Sequence, residues 1–347
     1  MKAAMLYGPN DLRIVEVPEP TLGAGGLIIR VKACAICGSD VRTYHFGARN
    51  VTYPQIIGHE VAGEIVEVSE EAKELGYKIG DRVAVAPAIP CGVCEYCRKG
   101  IQTMCQNLKS IGYEYAGGFA EYLFVPATAV RNGCVNFIPD NLSFSEATVA
   151  EPLACAINAQ ELLNVQMGDT VVVIGAGPIG CMHVALAKIR GATFVIAAER
   201  QQSRLDMIKD FGADACINTT EQDLVESVMQ LTNGKGADVV IVAAASKEAQ
   251  ELSLQIAAKR GRIDFFGGLP KDDPWIRFNS NLVHYRELFI MGAYGSKPEQ
   301  NRMALKVLST KRIDPKKIVT KELPLDSILE GISMVEKGEV LKAVVLP

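Results

Sequence analysis

Two textures of hydrophobic spacing divide the chain. From residue 1 to about 130, short apolar runs such as "GLIIRVKACAI", "EVAGEIVEV", "DRVAVAPA" and "GFAEYLFVP" are broken by Gly and Pro, which predicts short strands, tight turns and a β-rich, barrel-like unit. Near residue 145 the pattern changes. "SFSEATVAEPLACAINAQELL" carries apolar residues at helical spacing behind a Ser cap. From 170 onward, buried-type apolar runs ("TVVVIG", "TFVIAAE", "ADACIN", "ADVVIVAA", "GRIDFFGG") alternate with helical segments at 178–190, 201–211, 221–232 and 247–259. That alternation predicts an α/β unit with a parallel, doubly wound sheet. The end of the chain reads as a helix at 298–311, then strand, helix and strand from about 318. Pattern alone leaves open whether this tail extends the parallel sheet or returns to the first unit.

Composition narrows the function classes. The 347 residues suffice for two cores, and 48% apolar with 22% charged is ordinary globular usage. With 36 Lys and Arg against 40 Asp and Glu, a net charge of −4 gives no electrostatic reason to expect nucleic acid or an anionic membrane as partner. No stretch approaches the roughly 20 apolar residues of a membrane span, and the N-terminus lacks a continuous apolar leader segment. The expectation is a cytoplasmic protein with reduced thiols and a small-molecule substrate.

The most informative run is "VVVIGAGPIG", an apolar strand entering Gly175, Gly177 and Gly180 at G-x-G-x-x-G spacing, with a helix-like segment starting inside it. The glycines allow a tight turn, close approach to a pyrophosphate and close helix–strand packing, with the phosphates at the positive helix end. Glu199 closes the next strand, nineteen residues past Gly180, where a carboxylate bonds the ribose hydroxyls and repels a 2′-phosphate. This favours NAD over NADP, although Arg200, directly after it, is a residue type that tolerates a phosphate.

Two thiol-bearing constellations point to metal. "CGVCEYCRKGIQTMC" places Cys91, Cys94, Cys97 and Cys105 at C-x2-C-x2-C-x7-C spacing. Four thiolates saturate zinc, so this lobe, 90–106, is expected to be structural; zinc is favoured over an iron–sulfur cluster because hydride chemistry on a dinucleotide needs no electron-transfer centre. A second, dispersed set comprises Cys37 in "CAICGSD", His59 and Glu60 in "IIGHEVAG", and Glu151 in "AEPLAC". One thiolate, one imidazole and one or two carboxylates is the composition of a catalytic site with an exchangeable position. His45, His183 and His284 lack ligand-like neighbours and read as surface or helix positions. Of the six other cysteines, five (Cys34, Cys134, Cys155, Cys181, Cys216) read as small buried hydrophobes.

"CAICGSDV", "GHEVAG", "GDRVAV", the four-Cys lobe, "GGFAEY", "EPLAC", "GAGPIG" and "KAVVLP" occur in an order that resembles the zinc-containing medium-chain dehydrogenases, and within them the polyol (sorbitol or iditol type) branch. The resemblance spans nearly the whole chain. It implies a GroES-like β-rich catalytic domain over 1–147, a Rossmann NAD-binding domain over 148–290, and a return to the catalytic domain over 291–347. By resemblance, Cys37, His59 and Glu60 hold a catalytic zinc, and Glu151 either contacts a water there or replaces Glu60, giving two zinc ions per chain. Ser39 matches the hydroxyl that starts a proton relay through the nicotinamide ribose, and Asp40 the carboxylate that orients His59. Ile179, Arg204 and Gly267 join the three glycines and Glu199 as cofactor contacts.

The reaction so implied is reversible oxidation of a secondary alcohol of a polyol to a ketone with hydride transfer to NAD, in a homo-oligomer, dimer or tetramer. "EPLAC" separates this branch from threonine dehydrogenases, which typically carry Asp-Pro there. Thr43 stands where sorbitol-type enzymes place an aromatic residue, and Tyr294-Gly295 where they place Arg-Tyr, so the resemblance stops short of sorbitol itself. The alternatives are a polyol phosphate, which Arg42, Arg49 and Arg286 would serve, a cyclic polyol such as an inositol, L-threonine, and a non-enzymatic dinucleotide-binding sensor. The filled ligand positions weigh against the sensor.

Overall fold

The computed structural model describes residues 1–347, which divide into two compact units: Met1–Ala154 with Gly295–Pro347, and Cys155–Tyr294. The tail thus lies with the first unit. The helix Ala150–Leu162 runs through the first division point, a few residues beyond the boundary drawn from sequence.

The first unit is built on a seven-stranded sheet. Its order is Val135–Phe137, Arg82–Val85, Glu60–Val68, Leu27–Ala35, Lys342–Leu346 and Val319–Pro324, with Tyr122–Val125 also paired to Leu27–Ala35. Every pairing is antiparallel except that of the last two strands. The period-2 alternation seen in sequence has its cause here: Leu27, Ile29 and Val31 point into one core with Val61, Ile65, Val83, Val85, Phe119 and Leu123. Residue 60 opens its strand opposite Ala35, and residue 344 pairs with Ala35 as well, so the end of one strand and the starts of two neighbours meet at one end of the sheet.

The second unit carries a six-stranded, all-parallel sheet in the order Ala215–Asn218, Phe194–Glu199, Thr170–Ile174, Ala237–Val242, Ala257–Asp264, Phe289–Met291. Numbered within the unit this is 3-2-1-4-5-6, the Rossmann order. Val171, Val172 and Val173 are all fully buried, which explains why this strand reads as a continuous apolar run rather than an alternation.

Two elements depart from the sequence pattern. The helix expected over 247–259 stops at Ile256, because Ala257 turns extended and pairs with Ala237. The helix Gly38–Phe46 was not visible in the hydrophobic spacing; its start is fixed instead by the capping arrangement of Cys37 and Asp40. Cys34, Cys134 and Cys181 are buried as expected, whereas Cys155 and Cys216 are only partly covered. No helix is long and apolar enough to cross a membrane.

Candidate active site and cofactor site

Strand ends assemble the first site. Cys37 follows the strand Leu27–Ala35 and caps the helix Gly38–Phe46, while His59 and Glu60 enter the neighbouring strand through Gly58. Gly58 has φ +95°, and a Cβ there would stand 2.8 Å from Phe119 and 2.9 Å from the Cys34 sulfur, so the turn that delivers His59 requires glycine. The ligand atoms of Cys37, His59 and Glu60 lie within 4.8 Å of one another. Glu151, in the first turn of Ala150–Leu162, is not one of that converging set.

Asp40 ties the two ligand segments together. One carboxylate oxygen accepts the Cys37 amide at 2.8 Å and the other meets His59 Nδ1 at 3.2 Å. That contact leaves Nε2 as the ring nitrogen for a metal and fixes the ring plane. Burial alone would lower the His59 pKa, but the Asp40 charge and the hydrogen bonds that Asp40 and Cys37 accept from the ring outweigh it and hold the ring well above its usual range. The set fits a dication: a soft thiolate, an oriented imidazole and a carboxylate, gathered where an unpaired negative charge is costly.

The tail contributes a residue that sequence reasoning missed. Lys342, 3% exposed, opens the last strand and donates to both carboxylate oxygens of the fully buried Glu60, at 2.7 and 2.8 Å. Burial opposes its charge, but Glu60, Cys37 and, more distantly, Glu151 hold the ammonium on, with a net upward shift. The signal was present in "LKAVVLP", a lone charge at the head of a buried strand. Each Glu60 oxygen accepts one bond from Lys342 and keeps a second lone pair, so the carboxylate could meet a metal while Lys342 holds it.

The four-Cys lobe is separate from this set. Its sulfurs lie within 4.8 Å of one another, and Cys94 and Cys105 are 3.9 Å apart, matching the ~3.8 Å edge of a tetrahedron with Zn–S bonds of about 2.3 Å. The amides of Val93 and Cys94 draw the Cys91 thiol down to about 6, whereas burial and then its neighbour Cys94 push Cys97 up to about 12. Four adjacent thiols cannot all ionise without a cation, and a bound dication removes that conflict.

In the second unit the glycine triplet follows the strand Thr170–Ile174. A Cβ on Gly180 would run into the Gly175 carbonyl, so the helix Pro178–Arg190 packs against the turn only because residue 180 is glycine. Nothing lies within 4 Å of a Cβ position on Gly177, which leaves the helix N-terminus open. Glu199 is held by the loop it serves: one oxygen accepts the Ala176 amide at 2.9 Å, the other the amides of Arg200 and Gln201 at 2.7 and 3.3 Å. Arg204 stands 4.0 Å from the same carboxylate. A cavity of about 650 Å³ lined by Thr170, Phe194, Asp238 and Ala258 lies at the amino-terminal strand ends, opposite the glycine triplet, and is not the dinucleotide site.

The remaining histidines carry no metal geometry. His183 is fully buried, beside Gln160 and edge-on to Phe266, and burial lowers it to about 3, so it stays neutral. His45 joins Asn10 and Glu336 at the surface. Asp264, which sequence reasoning also passed over, is 1% exposed at the end of Ala257–Asp264, and neither oxygen completes a hydrogen bond. Burial pushes its carboxyl up to about 7, with the nearby Ala293 amide working the other way. The native state therefore keeps a proton that the unfolded chain releases near 3.8. Stability from this group is complete below that pH and is lost as pH rises through 7. Asp264→Asn is expected to be more stable than the parent at neutral pH, with the advantage widening by about 2 kcal/mol between about pH 5.5 and 8 in urea unfolding curves.

Comparison with known proteins follows the two units. Residues 23–135 match the alcohol dehydrogenase GroES-like domain, and residues 178–310 match the zinc-binding dehydrogenase domain. A sorbitol dehydrogenase of Halalkalibacterium halodurans is 33% identical, covering 98% of this chain and 97% of its own. An L-threonine 3-dehydrogenase of Yersinia pestis is 32% identical over 99% of each. The chain belongs to the zinc-containing medium-chain dehydrogenase family. A zinc-binding dehydrogenase of Sinorhizobium meliloti, solved with NADP, superposes with a TM-score of 0.92 at 31% identity, covering 100% of this chain and 99% of the other. This zinc-containing dehydrogenase is therefore an oxidoreductase with a GroES-like unit and a Rossmann unit, and its Cys-rich and Cys/His/Glu sets are of the kind that hold zinc.

Proposed function

We propose that this dehydrogenase oxidises a secondary alcohol of a polyol to a ketone, reversibly, with NAD as hydride acceptor. The observation that carries the reading is the convergence of Cys37, His59 and Glu60, with Asp40 fastening the first two and Ser39 next to it in the same helical turn. Zinc, when bound by Cys37, His59 and a carboxylate, supplies Lewis acidity that lowers the pKa of an alcohol. Ser39 takes the alcohol proton and passes it outward. Asp40 keeps the His59 ring in one tautomer and one plane, and Lys342 balances the Glu60 charge that would otherwise stand alone. Glu151 contributes a carboxylate able to accept from a hydroxyl beside the reacting carbon, which favours a polyol over a simple alcohol.

Of the three cations that a phosphate would use, Arg286 is tethered through Nη1 to the carbonyls of Gln255 and Ala257. A panel of sugar alcohols, their phosphates, inositols and L-threonine, scored by NAD reduction, tests the reading. Preference for an unphosphorylated polyol supports it, and preference for L-threonine overturns it. Glu199 supports NAD: its anchored carboxylate would meet a 2′-phosphate. Glu199→Ala is expected to shift the NAD-to-NADP ratio of kcat/KM toward NADP by roughly ten- to hundredfold, about 1.4–2.7 kcal/mol.

The reading extends to a homo-oligomer. Phe289–Met291 is the last strand of its sheet, with Phe289 exposed and Tyr285 exposed nearby, an edge that a second copy would cover. Sedimentation mass checks it, a monomer being the contrary result.

A further inference from the structure

Asp264 is the one buried acid whose carboxyl oxygens both lack a partner. It ends the strand Ala257–Asp264, 1% exposed, with Oδ1 and Oδ2 sealed from solvent and unbonded. A carboxyl orphaned in that way is costly, and neither the metal sites nor the glycine turn makes use of it.

The strand order gives its place in the crevice. In 3-2-1-4-5-6 the order reverses between Thr170–Ile174 and Ala237–Val242, and a dinucleotide lies across the carboxyl ends on either side of that point. Glu199 closes a strand on one side, where the adenosine ribose belongs. The other side, over Ala237–Val242, Ala257–Asp264 and Phe289–Met291, is left to the nicotinamide half. Asp264 is the last residue of the middle strand of these three, in register with Ile241 and Met291. The backbone after it is fixed: the Phe265 amide donates to the Met291 carbonyl at 3.0 Å, the Gly267 amide to Val242 at 2.9 Å, and Gln250 Nε2 to the Gly267 carbonyl at 3.0 Å.

Few charges compete with it there. Ile263 turns into the apolar core, which sets Asp264 on the opposite face, with Arg262. Arg262 is engaged by Asp169 at 2.6 Å and by the carbonyls of Leu163 and Asn164. His183, edge-on to Phe266, is held neutral by burial, which lowers it to about 3. The register partners Ile241 and Met291 carry no charge. Burial pushes the Asp264 carboxyl itself up to about 7, so a positive charge brought near it would act at ordinary pH.

We infer that Asp264 tunes the balance between oxidised and reduced cofactor: its carboxylate favours the cationic nicotinamide ring of NAD+ over the neutral ring of NADH, and NAD+ binding expels the Asp264 proton. A positive charge stabilises an ionised acid, the more so where water is excluded. The reduced ring offers no such charge, so the acid keeps its proton when NADH is bound. Affinity for NAD+ therefore gains on affinity for NADH as pH rises through 7. The inference rests on the dinucleotide reading above and deepens it, because it names a group that couples a proton to the charge of the cofactor.

Calorimetric titration of full-length, zinc-loaded protein with NAD+ and with NADH, in two buffers of different ionisation enthalpy, reads affinity and proton release together. Between about pH 6 and 8.5 the ratio of NAD+ to NADH affinity should rise about fivefold more in the parent than in Asp264→Asn, the effect of a roughly tenfold change in the acid's ionisation constant. Near pH 6.5 the parent should release about half a proton more than the variant on binding NAD+, and no more than the variant on binding NADH. Asp264→Ser, which also cannot ionise, should behave as Asp264→Asn does. Equal slopes in the parent and both variants, or equal proton release, overturn the inference while leaving the dinucleotide reading intact. Failure of the parent to bind either dinucleotide overturns that reading and the inference with it.

Discussion

Replacing Lys342 with methionine is expected to destabilise the first unit by about 3–5 kcal/mol, because it leaves the Glu60 carboxylate charged, buried and unpaired. Methionine fills much of the same volume, so the loss reports charge rather than a cavity. The pair itself is not a large net stabiliser: taking both groups out of water offsets much of their attraction. Lys342→Met combined with Glu60→Gln should therefore recover most of the loss, and urea unfolding of the four proteins gives the coupling directly. Zinc should partly rescue the single variant if the freed carboxylate becomes a ligand. A Lys342→Met protein as stable as the parent without zinc would mean that Glu60 is neutral or solvated.

Cys37→Ala is expected to lower kcat/KM by at least about 10³-fold, the effect of removing several kcal/mol of charge stabilisation from the reacting oxygen. The second unit carries its own core and the glycine triplet, so dinucleotide binding should persist within about threefold. Fluorescence titration with NADH separates that outcome from unfolding. Activity retained in Cys37→Ala after metal stripping would remove this site from the chemistry.

How much of this was legible in the sequence differs between the two units. The parallel sheet was readable because "TVVVIG", "TFVIAAE" and "ADVVIVAA" are buried on both faces and cannot be mistaken for amphipathic helices. The glycine triplet was readable because close packing at Gly180 admits no side chain. The Cys, His and Glu ligand types were visible as chemistry, and their convergence needed the antiparallel pairing of Ala35 with Glu60, which no local pattern encodes.

Lys342 lay beyond reach because it meets Glu60 through a contact between segments 282 residues apart in sequence. Asp264 was hidden differently: one carboxyl within "GRIDFFGG" looks like the solvent face of a strand, whereas in the fold it is 1% exposed. The short helix Gly38–Phe46 is held by its cap rather than by an apolar stripe, so periodicity had nothing to report.

The central claim is that two separable zinc sites exist and that only the sparser one carries the reaction. Zinc per chain, measured by elemental analysis on parent and Cys37→Ala protein after gel filtration, tests it most directly. The account predicts two ions in the parent and one in Cys37→Ala, with the remaining ion lost when Cys94 is also replaced. A single ion in the parent, or two in Cys37→Ala, would contradict it.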